Sequence, residues 1–375
     1  MESSVICFGE DWGRHPGSAQ DIMERLSATR TILWIDSLGL RRPRLSMDDA
    51  KRILTKARNW LRGARQPREG IVVYTPIVLP VFGSTLARRI NSVILTATVK
   101  RLIRKHHLVN PILWVSCPAA EGVVGKLGES KSIYYCADEH SVFPGLSPET
   151  VRLLEESIFK KVNQVIVTST RLLEAKAPYN TNLHYVPHGV DFDHFSKAAA
   201  PETAVPEDIA RIKKPIIGFY GLIQDLIDFS LVEYLAKSRP DWSIVMVGPV
   251  LFDVGPLPSL PNLHFVGKRT REELPNYVKA FDVCMIPYKL TERTIYANPL
   301  KLRQYLASGK PVVSTPLPEV LRYEDLVKVG RTPEEYLQAV EWHLAHRSEE
   351  ESLRRMDAVR DEGWDHVMDR IRSLL

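Results

Sequence analysis

Residues 265–315 read FVGKRTREELPNYVKAFDVCMIPYKLTERTIYANPLKLRQYLASGKPVVST. A short apolar strand at 263–266 ends at Gly267, and the basic pair Lys268 and Arg269 follows. Next comes a helix with Glu272 and Glu273 in its first turn, where acidic side chains suit the helix dipole. A strand of buried type runs over 283–287. After a polar loop, Asn298-Pro299-Leu300-Lys301 opens a helix with Gln304 one turn beyond Lys301 on the same face. Gly309 closes that helix before a strand at 311–313. Free N–H groups and a cationic side chain thus converge at one helix start, an arrangement suited to a diphosphate. The plainer alternative is a surface lysine that binds nothing.

Outward from this stretch the same grammar continues. Strands are expected at 5–8, 31–35, 71–74, 112–115, 132–135, 164–167 and 183–186, and helices at 18–26, 86–106, 120–127 and 148–162. A second series of strands covers 215–220, 243–247, 263–266, 283–287 and 311–314. Strands apolar on both faces and separated by helices imply parallel, doubly wound sheets. The polar stretch 193–213, with Pro201 and Pro206, is the expected linker. Two Rossmann-like α/β domains follow, 1–195 and 214–375, with parallel sheets facing an interdomain cleft and ligands expected at the carboxyl ends of the strands. The last helix is expected to cross back onto the first domain, with Trp364 as its anchor.

Length and composition agree. A chain of 375 residues with 44% apolar and 25% charged residues suits two globular domains. No run is long and apolar enough for a spanning helix. The start MESSVICFGEDW enters a strand at once, unlike a signal peptide, so a cytoplasmic protein is expected. Cys7, Cys117, Cys136 and Cys284 lie in or beside apolar runs without metal-like spacing and read as buried thiols. Residues 1–110 hold 19 Lys and Arg against 9 Asp and Glu. Much of that excess lies in residues 51–68, KRILTKARNWLRGARQPR, where Ile53, Leu54, Ala57, Trp60 and Leu61 fall at helical spacing. A basic amphipathic helix with an interfacial tryptophan fits an anionic membrane surface at the inner face of the cell membrane. An ordinary packed helix is the competing reading. Nucleic acid is not expected, because no nucleic-acid module accompanies the charge.

Other clusters could carry chemistry. Tyr134-Tyr135-Cys136-Ala137-Asp138-Glu139-His140 ends a strand, so Asp138, with Glu139 and His140 as rivals, stands at a carboxyl edge where a general base would work. Asp138 could instead cap the next helix. Pro187-His188-Gly189-Val190-Asp191 precedes the linker and is either a ligand contact at His188 or a hinge. Gly221 and Gly248 end strands and permit close backbone approach. The loop Gly9-Glu10-Asp11-Trp12-Gly13-Arg14-His15 offers an indole, carboxylates and cations to a sugar, or is simply solvated. No paired carboxylates lie on a strand edge, so no metal is expected.

The order and spacing within 263–315, together with residues 134–140 and 187–191, resemble GT-B-fold glycosyltransferases. The nearest types are family-4-like bacterial polysaccharide transferases, including teichuronic-acid-type enzymes, and the xanthan glucuronosyltransferase. The resemblance implies an enzyme moving a sugar from a nucleotide-sugar, of UDP type, to a glycan or lipid-linked acceptor. It needs no cofactor and no metal. It implies donor contacts at Lys301, Gln304, Asn298, Gly221, Gly248, Lys268, Arg269, Tyr288 and His188. It implies acceptor contacts at Trp12, Arg14, His15, Glu139 and His140, and Asp138 as the base of an inverting reaction. The chain departs from the family-4 pattern in two places. Gln304 and Tyr296 replace the two glutamates of an E-x7-E motif, and Gln224, Asp225 and Asp228 occupy the loop that elsewhere carries an Arg and a Lys. Charge compensation therefore falls on Lys301, Lys268, Arg269 or Arg293. A retaining transferase and a non-catalytic GT-B binding module are the alternatives.

Overall fold

The structure, a computed structural model, describes residues 3–14, 17–40, 47–251 and 259–375, and of residues 47–53 the backbone alone. His15 lies outside the described residues, as do the side chains of Lys51, Arg52 and Ile53. The chain divides into two compact units, Met1–Pro187 with Met368–Leu375, and His188–Val367.

The first unit holds β1 (Val5–Phe8), β2 (Ile32–Ile35), β3 (Arg65–Arg68), β4 (Ile71–Tyr74), β5 (Ile112–Val115), β6 (Lys131–Cys136), β7 (Gln164–Val167) and β8 (Leu183–Tyr185). Their order in the sheet is β3-β4-β2-β1-β5-β6-β7-β8. VICF, ILWI and ILWV are buried along their whole length, as central parallel strands require. Val5 pairs with Ile32 on one side and Ile112 on the other, which puts β1 at the centre. The second unit holds β9 (Ile216–Tyr220), β10 (Ser243–Val247), β11 (Leu263–Gly267), β12 (Val283–Ile286), β13 (Val312–Ser314) and β14 (Lys328–Val329). All are parallel, in the order β11-β10-β9-β12-β13-β14.

Local chemistry departs from the sequence reading in four places. The basic run 51–68 is not one helix: the helix Met47–Arg62 stops at Gly63, whose φ of 73° is a left-handed terminator. Arg65–Arg68 then pairs antiparallel with β4 as an edge strand, the position where its Pro67 is tolerated. The expected helix at 120–127 is a 3-10 turn, Pro118–Val123. Residues 193–213 do not form an open linker. They contain the short helices Phe192–Ser196 and Glu207–Ala210, and their Phe195 and Ile209 are buried in the core of the second unit. The division of the chain falls earlier, between Pro187 and His188.

Gly189 makes a close approach rather than a tight turn. A Cβ there would lie 2.6 Å from the Trp364 ring. Trp364 opens the last helix, whose final residues are counted with the first unit, where Lys131 Nζ donates to the Leu374 carbonyl at 3.0 Å.

Candidate functional site

In the second unit, the first two strands of the series end in glycines that fold back on one another. Gly221 follows β9 with φ 134° and donates its N–H to the Val247 carbonyl at 2.8 Å. Gly248 follows β10 with φ 146° and donates to the Gly267 carbonyl at 2.9 Å. A Cβ on Gly248 would sit 1.9 Å from the Gly221 oxygen, so the backbone leaves no room for a side chain. The ammonium of Lys301 lies over this junction, and a Cβ on Gly221 would meet Lys301 Cε at 2.2 Å.

The helix Leu300–Ala307 aims Lys301. Its Nζ donates to the Tyr288 hydroxyl at 2.9 Å and stands 5.3 Å from the centre of the Phe219 ring. Among the described residues no carboxylate pairs with it. A cation held by a phenol and an aromatic face, beside bare backbone, is a place for an anion. The structure thus brings Gly221, Gly248, Tyr288 and Lys301 together.

Several other residues proposed from sequence have structural partners. Gln304 lies one turn from Lys301, but its Oε1 accepts from the Tyr220 hydroxyl at 2.5 Å. Asn298 accepts from Arg303 at 2.6 Å, and Arg303, almost wholly buried, also pairs with Glu362. These three form a strut under the helix start. Arg269 turns to Asp208 at 2.6 Å and stacks on Tyr277, so it ties the Glu207–Ala210 helix to its neighbour instead of joining Lys301. Lys268 is exposed beside Gly267. Desolvation, reinforced by Arg303, pushes the His188 imidazole down to about 3 and keeps it neutral at pH 7. Arg293 pairs at 3.6 Å with Asp225, in the loop that departs from the family-4 pattern. Sequence reasoning missed Phe219, because an aromatic in a core strand reads only as core. It did not single out Arg303, because nothing in LKLRQY marks which cation turns inward.

In the first unit the carboxyl ends of β1 and β6 carry the candidates. A Cβ on Gly9 would lie 2.2 Å from the Trp34 ring, so glycine lets the indole cover the end of β1. Trp34 Nε1 donates to the Glu10 carbonyl at 2.8 Å, and Trp12 packs edge-on to Trp34 at 5.1 Å. The Trp12 N–H donates to buried Asp36 at 2.9 Å, and Asp36 also accepts from Thr75 at 2.6 Å. The loop is therefore bolted down, not merely solvated. Arg14 is exposed and pairs loosely with Asp11 at 3.7 Å.

At the end of β6 two adjacent carboxylates part company. Asp138 is exposed and caps nothing among the described residues, whereas Glu139 caps the short turn His140–Val142 by accepting from the Ser141 N–H at 3.1 Å. Glu139 is buried and also takes Lys176 Nζ at 2.6 Å, while Lys176 reaches Glu155 at 3.0 Å. Burial would push the Lys176 ammonium down, but Glu155 and Glu139 outweigh it and hold it above its ordinary range. Glu139 therefore belongs to a buried ion network, which corrects its reading as an acceptor contact. Desolvation, with Asp138 adding to it and His140 opposing, raises the Glu10 carboxyl above its usual range. Glu10, Asp138 and His140 thus lie in one electrostatic environment. Among the described residues no cluster of His, Cys, Asp or Glu is placed to hold a metal ion, and no helix is long and apolar enough to cross a membrane.

Comparison with known proteins bears on both units. Residues 214–346 match the family described as glycosyl transferases group 1. A putative teichuronic acid biosynthesis glycosyltransferase, TuaH of Bacillus subtilis, is 26% identical over 279 residues, covering 68% of each chain. Among solved structures, sucrose-phosphate synthase from Thermosynechococcus elongatus superposes with a TM-score of 0.71 at 14% identity, covering 100% of this chain and 98% of that one. A trehalose-6-phosphate structure from E. coli bound with UDP-2-fluoro glucose gives 0.70 at 11% identity, covering 99% and 98%. Anabaena HepE in complex with UDP and glucose gives 0.67 at 13% identity, covering 100% and 99%.

Proposed function

We propose that the protein is a glycosyltransferase, with its group 1 match over residues 214–346 as the donor half, and that it transfers a sugar from a UDP-sugar to a glycan or lipid-linked acceptor with inversion. The observation that carries the donor half is the position of Lys301, a cation without a carboxylate partner among the described residues, over the Gly221 and Gly248 backbone. In this reading the diphosphate takes the Lys301 ammonium and the Tyr288 hydroxyl, and the glycine turns admit it to backbone contact. As the bond from the anomeric carbon to the diphosphate breaks, Lys301 stabilises the leaving charge.

The acceptor half is assigned to the first unit. Asp138 takes the proton of the acceptor hydroxyl as its oxygen attacks the anomeric carbon, because Asp138 is the carboxylate at the end of β6 that the ion network leaves exposed. Trp12 offers an apolar wall to a sugar face, and Arg14 and His140 offer donors. The likeness to a putative teichuronic acid biosynthesis glycosyltransferase favours a polysaccharide as product. Residues 51–68 are assigned to contact with an anionic membrane, which suits a lipid-linked acceptor at the cytoplasmic face.

Calorimetry with UDP, GDP and TDP, followed by donor hydrolysis and anomeric analysis of the product, tests this reading. UDP binding that depends on Lys301, with an inverted product, is expected. Retained configuration would remove Asp138 as the base, and no binding of any nucleoside diphosphate would remove the donor site.

A further inference from the structure

The helix Thr85–Lys105 has its first half reversed in polarity. Its buried positions there are Ala87, Asn91 and Ser92, whereas Leu86, Ile90, Val93 and Ile94 are exposed, Val93 by 69%. The inner residues have structural reasons. Asn91 accepts from the Leu79 N–H at 2.8 Å and donates to the Leu79 carbonyl at 2.9 Å. Ser92 donates to the Gly122 carbonyl, and a Cβ on Gly122 would lie 2.9 Å from Ser92 Cβ, so the contact demands small side chains. The outer aliphatics fall at helical spacing in one stripe and stay exposed among the described residues. The segment that Asn91 clamps adds exposed Ile77, Leu79 and Val81.

A second helix behaves alike. In Met47–Arg62 none of the described side chains is buried, and Leu54, Trp60 and Leu61 are exposed. A helix of that length gains little stability alone in water, so an uncovered apolar face points to a partner. The Tyr74 hydroxyl, at the end of β4, feels both Trp60 and Arg101, which places both helices beside that strand end. The whole region is cationic. Between residues 51 and 105 there are thirteen Lys and Arg against one acid, Glu69. Arg89 stands in the aliphatic stripe, and Lys100, Arg101, Arg104 and Lys105 are exposed along the end of the helix.

We infer that the outer face of Thr85–Lys105, with segment 77–81, is a docking surface for an anionic lipid bilayer. Aliphatic side chains enter the acyl boundary while the surrounding cations meet headgroup phosphates. A second copy of the chain fits poorly, because it would set one strongly basic surface against another. Nucleic acid would satisfy the cations and leave the aliphatics exposed. The inference deepens the proposed function, since a lipid-linked acceptor is encountered at such a surface.

Flotation with vesicles of pure phosphatidylglycerol and of pure phosphatidylcholine tests it on the full chain. The wild type should float with the anionic vesicles, more weakly with the neutral ones, and keep part of its binding in high salt, where charge is screened but apolar insertion is not. The variant Leu86→Gln, Ile90→Gln, Val93→Gln alters exposed positions alone. It should lose at least about ten-fold in partitioning to phosphatidylglycerol and all the salt-resistant fraction. Unchanged flotation of this variant would overturn the docking surface. So would a wild-type dimer in sedimentation that the variant dissolves while vesicle binding persists. UDP-sugar hydrolysis without vesicles should be equal in both proteins. Its absence from both would count against the donor site, while flotation decides the docking surface independently.

Discussion

Both sheets end the first strand of their series in a glycine, and the two glycines are required for opposite reasons. At Gly9 the missing Cβ is replaced by the Trp34 ring, which in turn fixes Trp12 and, through Asp36, the whole loop. At Gly221 it is replaced by the aliphatic end of Lys301, whose ammonium has only a phenol and a ring for company. One end is filled with apolar cover, and the other leaves a cation beside open backbone. In the proposed function the first would face a neutral acceptor and the second an anionic diphosphate.

The sharpest way to break the comparison is at Asp138. Asp138→Asn keeps shape but cannot take a proton, so turnover should fall about 10²–10⁴-fold with donor affinity unchanged. Steady-state kinetics beside calorimetry will tell, and near-normal turnover would return Asp138 to the solvated surface. Its neighbour Glu139 should respond through stability instead. Lys176→Met leaves two buried carboxylates unpaired and should cost about 3–5 kcal/mol, read by urea unfolding. A loss below about 1 kcal/mol would mean that water reaches the network.

The second unit offers an acid test. His343 is 2% exposed, and desolvation, with Arg355 adding to it, pushes its pKa from 6.5 to about 4. The unfolded chain binds this proton more readily than the folded one. The stabilisation is therefore complete above about pH 6.5 and is lost as the pH falls towards 4, about 3 kcal/mol in all. His343→Leu should flatten that slope, and an unchanged pH profile would show that the ring is hydrated. The smallest expected effect is Lys301→Ala, which should weaken UDP binding by about 1.5–3 kcal/mol without changing the unfolding midpoint. Equal UDP affinity would make the two strand ends alike after all.

The region around 263–315 was legible because parallel strands, helix starts and glycines are local. Hydrophobic runs declare β9 to β13, and Lys301 occupies the first turn of its helix whatever packs behind it. The spacing of Gln304 from Lys301 was equally legible, but its hydrogen bond to Tyr220 comes from a strand more than eighty residues away. The same limit applied to Arg269 and Asp208, and to Glu139 and Lys176, where side chains of unremarkable sequence meet through the fold. The edge strand Arg65–Arg68 escaped notice because RQPR has no apolar alternation and is held by pairing with β4 alone.

By itself, then, the sequence determined two parallel α/β sheets, their glycine-ended strands and a lysine at a helix start. Periodicity and backbone sterics act within a few residues. Tertiary structure alone decided which of two adjacent carboxylates stays exposed, which cations are consumed by ion pairs, and which face of Thr85–Lys105 turns outward. Each of those outcomes depends on partners that only folding brings within hydrogen-bond reach.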